Sequence, residues 1–157
     1  MTKKTVLTAQ DLGLCDMQTS HLGQVLSIER QVQVMPWARL SFEQSLNRGD
    51  ICRLVVSGVK VAAFHVCSAV MDEVHLLNIA VAAELQGTGL SHMLLDDIVT
   101  NAKEMAVKKI FLEVRQSNTR AQSLYQKWQF EQIAVRKKYY RTPDTHREDA
   151  LVYVRLL

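Results

Sequence analysis

Four stretches of the chain carry residue types whose spacing could support chemistry. The first is Asn78-Ile79-Ala80-Val81, followed by Gln86-Gly87-Thr88-Gly89-Leu90-Ser91. A strand that passes through a glycine turn into a long helix aims several unpaired backbone N–H groups, and the positive end of the helix dipole, at one point. That point suits a phosphate, although the same turn also serves plain strand-to-helix geometry. A P-loop would need a lysine in this turn, and a dinucleotide fingerprint would need a third glycine where His92 stands. Neither condition is met, so the ligand reading that remains is a phosphate-bearing molecule held in some other way.

The second stretch is Ile110-Phe111-Leu112-Glu113-Val114-Arg115. Period-2 alternation places Ile110, Leu112 and Val114 on one face and Phe111, Glu113 and Arg115 on the other. Glutamate is depleted in strands, so Glu113 asks for a reason. Either it pairs with Arg115 or another cation on an exposed face, or it is a general base whose pKa is raised by partial burial. The third stretch, Asn118 to Tyr125 with Trp128 and Phe130 beyond, reads as a helix capped by Asn118, with Ala121, Leu124, Tyr125 and Trp128 on its inner face. Tyr125 is then either a core residue or a proton donor, since a phenol pKa of about 10 keeps it protonated at neutral pH. In the fourth, Arg136-Lys137-Lys138-Tyr139-Tyr140-Arg141 precedes Arg147-Glu148-Asp149-Ala150. Such cations interleaved with aromatics suit RNA, an acidic partner or a solvated strand end.

These groups need elements to carry them. Ser20 is expected to cap a helix from about His21 to Val32, ended by Pro36, and a short helix from Ser41 to Asn47 should stop at Gly49. Ile51–Val56, Val59–Val70 and Val74–Val81, joined by Ser57-Gly58 and Met71–Glu73, read as an antiparallel meander. From Leu90 to about Ala106 the period turns helical, with Leu90, Leu94, Ile98, Ala102 and Met105 on one stripe. Lys109–Arg115 is a strand, Thr119–Trp128 a helix, and Phe130–Lys138 and Ala150–Leu156 are closing strands. The order ααβββαβαββ describes an α+β domain, a mixed three-layer α/β/α arrangement with a mostly antiparallel central sheet.

Composition bounds the alternatives. A length of 157 residues with no repeat or Pro/Gly-rich linker favours one domain spanning residues 1–157. Apolar residues at 48% and charged residues at 22% exclude a disordered or collagen-like chain. No apolar run approaches the roughly 20 residues of a membrane span. The first residues lack the apolar run and cleavage site of a signal peptide, so the expected location is the cytoplasm. A net charge of 19 − 16 = +3 is too small to require a nucleic-acid partner. Cys15, Cys52 and Cys67 have no C-x-x-C spacing, and the five histidines form no ligand pattern, so reduced thiols and no metal are expected.

Taken together, Pro36-Trp37, Asn78-Ile79-Ala80-Val81, Gln86-x-x-Gly89-x-Ser91, Leu112-Glu113-Val114-Arg115, Ser117-Asn118, Leu124-Tyr125, Tyr139-Tyr140 and Arg147-Glu148-Asp149-Ala150 resemble the GNAT superfamily of acetyl-CoA-dependent N-acetyltransferases. Within it they are similar to the branch of bacterial ribosomal-protein alanine N-acetyltransferases. The resemblance spans roughly residues 20 to 155 and implies the GNAT fold with acetyl-CoA as co-substrate. It implies that Gly87, Thr88, Gly89, Leu90, Ser91 and His92 hold the pyrophosphate through backbone amides. Ile79, Ala80 and Val81 would pair with the pantetheine arm, and Asn118 would contact the coenzyme further along. It also implies Glu113 as the base that deprotonates an N-terminal α-ammonium and Tyr125 as the acid that protonates the departing thiolate.

An α-amine pKa of about 8, against about 10.4 for lysine, suits a single carboxylate base, and direct attack leaves no role for a nucleophilic cysteine. The implied partner is the N-terminal tail of a ribosomal protein, met by a monomer that needs neither membrane nor direct nucleic-acid contact. A lysine or small-molecule acetyltransferase, or a non-catalytic ribosome-associated module, are the alternatives. Ser91, Gly87 and His92 depart from the usual turn residues. Gln129 stands where this family usually has the glycine before Phe130, which bears on the local turn.

Overall fold

Residue types that prefer half-buried pleated surface recur in several segments of the chain, and a sheet is what they build. The computed structural model describes residues 11–157. Its elements run β1 (Leu12–Asp16), a 3₁₀ turn (Thr19–His21), α1 (Leu22–Val32), α2 (Arg39–Arg48), β2 (Ile51–Ser57), β3 (Lys60–Val70) and β4 (Glu73–Val81). A second 3₁₀ turn (Ala83–Leu85) leads to α3 (Leu90–Glu104), β5 (Lys109–Arg115), α4 (Thr119–Lys127), β6 (Glu131–Arg141) and β7 (Arg147–Leu156). The strand order is β1-β2-β3-β4-β5-β7-β6. The β1–β2, β2–β3, β5–β7 and β6–β7 pairs are antiparallel and β4–β5 is parallel, so the sheet is mixed and mostly antiparallel as expected.

The chain divides into two compact units. The first takes the chain to Cys67 together with Asn78–Asp97. Its core gathers Leu22, Val25, Leu26 and Ile28 of α1 with Phe42 of α2, Leu54 and Val55 of β2, Phe64 and Val66 of β3, and Leu90 and Leu94 of α3. Phe42 meets the Phe64 ring edge-on at 5.6 Å. On another face of β3, the buried His65 Nε2 lies 2.7 Å from Asp97, which also pairs with Arg53 at 3.3 Å. Burial alone would raise the Asp97 pKa, but the hydrogen bonds and charges of His65 and Arg53 outweigh it and hold the carboxyl below the usual range. The second unit, Ser68–Leu77 with Ile98–Leu157, buries Val74, Leu76, Ile98, Val99, Ala102, Ile110, Leu112, Val114, Tyr125, Phe130, Leu151 and Tyr153.

Several boundaries differ from the sequence reading, each for a local reason. Strand β1 was not expected; five residues containing Gly13 and Asp16 give little pattern, and it forms by pairing Leu12–Asp16 with Arg53–Ser57 of β2. Ser20 does not cap α1: it lies in the 3₁₀ turn, where Gln18 and His21 make a reciprocal capping box and His21 occupies the N-cap of α1. Helix α1 ends at Val32 as expected, but the stop is the extended Gln33, ahead of Pro36. Met105 leaves the buried stripe of α3, because the helix stops at Glu104 and Ala106 is left-handed at φ 57°. The stop at Gly49 holds, with its N–H bonded to Leu46 and Ser45 carbonyls.

Candidate active site

In the first unit, β4 runs out into the glycine turn. Asn78 and Ala80 face inward and are buried, while Ile79 and Val81 are half-buried. The turn that follows is left-handed at Gly87 (φ 75°) and Gly89 (φ 93°), a conformation open to glycine and costly for other residues. A Cβ placed on Gly89 would meet nothing within 4 Å, so the turn presents open backbone. The Thr88 hydroxyl donates to the Leu85 carbonyl, which fixes the turn from inside. The Gly89 carbonyl accepts from the N–H groups of His92 (3.1 Å) and Met93 (3.3 Å), so α3 starts here and its first N–H groups have no intrahelical acceptor. Bare glycine backbone at the start of a 15-residue helix fits a diphosphate.

Beside this strand lies a buried carboxyl that the sequence reading did not single out. Glu29, on α1, is 1% exposed; its Oε1 accepts from the Trp37 N–H at 2.9 Å and the Asn78 amide at 3.0 Å. Gln33 donates to the Asn78 amide oxygen (3.0 Å) and the Ile79 carbonyl (3.2 Å). Burial pushes the Glu29 pKa up, against the lowering effect of the Trp37, Asn78 and Gln33 hydrogen bonds. The signal was present in the sequence: Val25, Glu29 and Val32 share the i, i+4, i+7 stripe that faces the core.

The second unit carries the other candidates. On β5 the alternation holds, with Ile110, Leu112 and Val114 buried and Phe111, Glu113 and Arg115 half-buried. Glu113 pairs through Oε1 with Arg136 Nε on β6 at 3.1 Å, so the cation beside it is Arg136 and not Arg115. Arg115 instead binds Glu148 at 2.9 Å and the Arg141 carbonyl at 2.9 Å, and its guanidinium sits 4.5 Å from the centre of the Tyr140 ring. Partial burial and then the Glu113 charge push the Tyr140 phenol up to about 12. Burial also pushes Glu148 upward, yet the hydrogen bonds from Arg115 and Ser117 outweigh it and hold its carboxyl below the usual range.

Asn118 caps α4 as expected, its side-chain oxygen accepting from the Ala121 N–H at 3.2 Å. Tyr125 is 5% exposed, with Phe130 edge-on at 5.9 Å and Tyr153 at 6.4 Å, so it is a core residue as well as a candidate acid. Helix α4 ends with the Phe130 N–H bonded to the Tyr125 carbonyl and the Gln129 N–H to the Gln126 carbonyl, both at 3.0 Å. That is a Schellman ending, in which the residue after the cap is left-handed; here it is Gln129, at φ 65°.

Of the residues singled out from the sequence, Ile79, Ala80, Val81, Gly87, Thr88, Gly89, Leu90, Ser91 and His92 therefore lie in the first unit, and Glu113, Asn118 and Tyr125 in the second. Cys15, Cys52 and Cys67 are free thiols, and burial pushes Cys52 up to about 11. Among the described residues, no group of three or more His, Cys, Asp or Glu could hold a metal, and no helix is long and apolar enough to cross a membrane.

Comparison with known proteins bears on this arrangement directly. Residues 22–130 match the family model described as the acetyltransferase (GNAT) family. A ribosomal protein bS18-alanine N-acetyltransferase of Haemophilus influenzae is 32% identical over 138 residues, 88% of this chain and 90% of that protein. The crystal structure of the ribosomal-protein-S18-alanine N-acetyltransferase from Escherichia coli superposes with a TM-score of 0.86 at 30% identity, covering 92% of this chain and 93% of that one. Arabidopsis thaliana NAA60, solved in complex with acetyl-CoA, has the same fold, with a TM-score of 0.84 at 17% identity over 93% of this chain and 98% of that one.

Proposed function

The chain belongs to the acetyltransferase (GNAT) family, and from that premise we propose that it transfers the acetyl group of acetyl-CoA to the N-terminal α-amine of a protein, an alanine of a small-subunit ribosomal protein. The observation that carries the reading is the likeness, at 32% identity over 88% of the chain, to a protein named for that reaction. The first unit supplies the coenzyme side. Backbone N–H groups from Gly87 to Ser91 bind the diphosphate, the His92 N–H being taken by the Gly89 carbonyl, and the Ile79–Val81 edge receives the pantetheine arm, while Asn118 adds a contact from its amide. Acetyl-CoA, when bound, supplies an acyl group activated as a thioester.

The second unit supplies the proton chemistry. Glu113 takes a proton from the substrate ammonium, directly or through one water, which frees the nitrogen lone pair for attack on the acyl carbon. As the C–N bond forms and the C–S bond breaks, the Tyr125 hydroxyl gives its proton to the departing sulfur. Direct transfer needs no cysteine nucleophile, and the raised pKa of buried Cys52 makes it a poor one.

Intact-mass measurement of alanine-, serine- and lysine-presenting peptides incubated with acetyl-CoA tests the reading. One acetyl group should appear on the N-terminus of the alanine peptide; modification confined to lysine, or none, overturns it. Glu113→Gln and Tyr125→Phe should each slow turnover by about 10²- to 10⁴-fold, the usual contribution of a positioned acid or base. An unchanged rate removes that residue from the chemistry.

A further inference from the structure

The β6–β7 pairing contains an irregularity beside Glu113. Arg136 pairs with Ala150 and Tyr140 with Glu148, so Lys137, Lys138 and Tyr139 on β6 stand opposite Asp149 alone on β7. Two extra residues bulge out of β6, and Lys138 at their centre is left-handed, with φ 49°. A non-glycine residue in that region costs roughly 1–2 kcal/mol and persists only where its surroundings hold it. Two side chains reach the bulge: the Asp149 carboxylate accepts from the Lys138 N–H at 2.9 Å and from Lys137 Nζ at 3.2 Å, and Arg147 Nη1 donates to the Tyr139 carbonyl at 3.3 Å, so the strained residue itself is held through Asp149.

Bulges re-aim the side chains on either side of them, and one neighbour of this bulge reaches the candidate base directly. Arg136, at its start, reaches Glu113 Oε1 at 3.1 Å and lies 5.3 Å from the centre of the Tyr139 ring. Tyr139 meets the Tyr140 ring edge-on at 5.1 Å, and Tyr140 covers the Arg115 guanidinium. The carboxyl of Asp149 has no contact of its own with Glu113 among the hydrogen bonds and ion pairs described; whatever it does there passes through the bulge.

We propose that Asp149 is a positioning residue for the reaction: by pinning the Lys137–Tyr139 bulge it keeps Arg136 seated on Glu113 and so fixes the rotamer of the carboxylate that receives the substrate proton. The inference rests on Glu113 being the base. It also assigns a purpose to the strain at Lys138, which is the consequence of shortening β7 relative to β6 at this point.

Asp149→Ala should lower kcat for an alanine-initiated peptide by between about tenfold and a hundredfold, the scale expected when a reacting group is misplaced by about 1 Å, while KM for acetyl-CoA stays unchanged. Asp149→Asn, which keeps an oxygen for the Lys138 N–H and perturbs folding least, should lose less. Lys138→Gly in the Asp149→Ala background should recover most of the loss, because glycine adopts the bulge without help. In a Glu113→Gln background, Asp149→Ala should cost little more, since both act on one group. A wild-type kcat in Asp149→Ala, a parallel rise in KM for the coenzyme, failure of the glycine to rescue, or full additivity with Glu113→Gln overturns the inference. A Glu113→Gln variant that turns over normally overturns instead the assignment of the base, so the two failures are distinct.

Discussion

Replacing Gln129 by glycine should stabilise the protein, and the structure supplies the size of the effect. Gln129 is the left-handed residue of the Schellman ending of α4, at φ 65°. Its side chain is exposed, so removing it forfeits little packing. The two hydrogen bonds that close the helix run from the backbone N–H groups of Gln129 and Phe130 and survive the substitution. The left-handed conformation costs a residue with a Cβ roughly 1–2 kcal/mol, whereas glycine adds about 0.5–1 kcal/mol of backbone entropy lost on folding. The balance is a gain of about 0.5–1 kcal/mol, or a rise in Tm of about 1–4 °C for a chain of this length. Calorimetry on the wild type, Gln129→Gly and Gln129→Val checks it, with valine, whose branched Cβ is worst suited to positive φ, expected to fall below the wild type. A glycine variant with equal or lower Tm refutes the strain argument. Because Tyr125 and Phe130 remain packed edge-on, turnover should be unaffected.

Two further outcomes follow from Glu29 and Asn118. Glu29 has a folded-state pKa above its unfolded value, so its contribution to stability is fully present below the unfolded pKa and is lost as pH rises through the folded one. Glu29→Gln, which cannot ionise, should therefore gain Tm relative to the wild type as pH rises above the ordinary carboxylate range, and a difference that shrinks as pH rises contradicts the burial account. Asn118→Ala should lose about 1 kcal/mol through the missing cap, whereas Asn118→Ser keeps a cap oxygen and removes the amide. A raised KM for acetyl-CoA in the serine variant with Tm retained assigns the coenzyme contact to the amide, and an unchanged KM leaves Asn118 as a cap alone.

The parts of the fold that sequence made legible are those governed by a short period. Ile110, Leu112 and Val114 alternate with Glu113, so β5 and the outward direction of its carboxylate could be read residue by residue. Leu90, Leu94, Ile98 and Ala102 announced α3, and Asn118 announced its own cap. What stayed hidden depends on register between distant segments. Glu29 meets Asn78 across 49 positions, and nothing local to either shows the contact. Likewise Arg136 reaches Glu113 only because β7 lies between β5 and β6, an order in which the last strand of the chain is not the last of the sheet. Strand β1 was missed for a related reason: Leu12–Asp16 is defined by the partner it finds and not by its own alternation.

Strain is stored beside both candidate proton-transfer groups. Gln129 and Lys138 both take the left-handed conformation, one closing the helix that carries Tyr125 and the other bulging the strand that carries Arg136. The two positions nevertheless differ in what holds them. At Gln129 the hold is backbone alone, two N–H···O=C bonds that any residue can make, so relieving the strain changes stability without moving the tyrosine. At Lys138 the N–H is held by a carboxylate eleven residues away, and the role proposed for Asp149 requires that its loss let the bulge relax and release Arg136. Strain backed by backbone bonds is a cost that glycine removes, whereas strain backed by a side chain gives that side chain leverage over geometry. The same substitution to glycine should therefore act mainly on Tm at position 129, and on kcat at position 138 once Asp149 is gone.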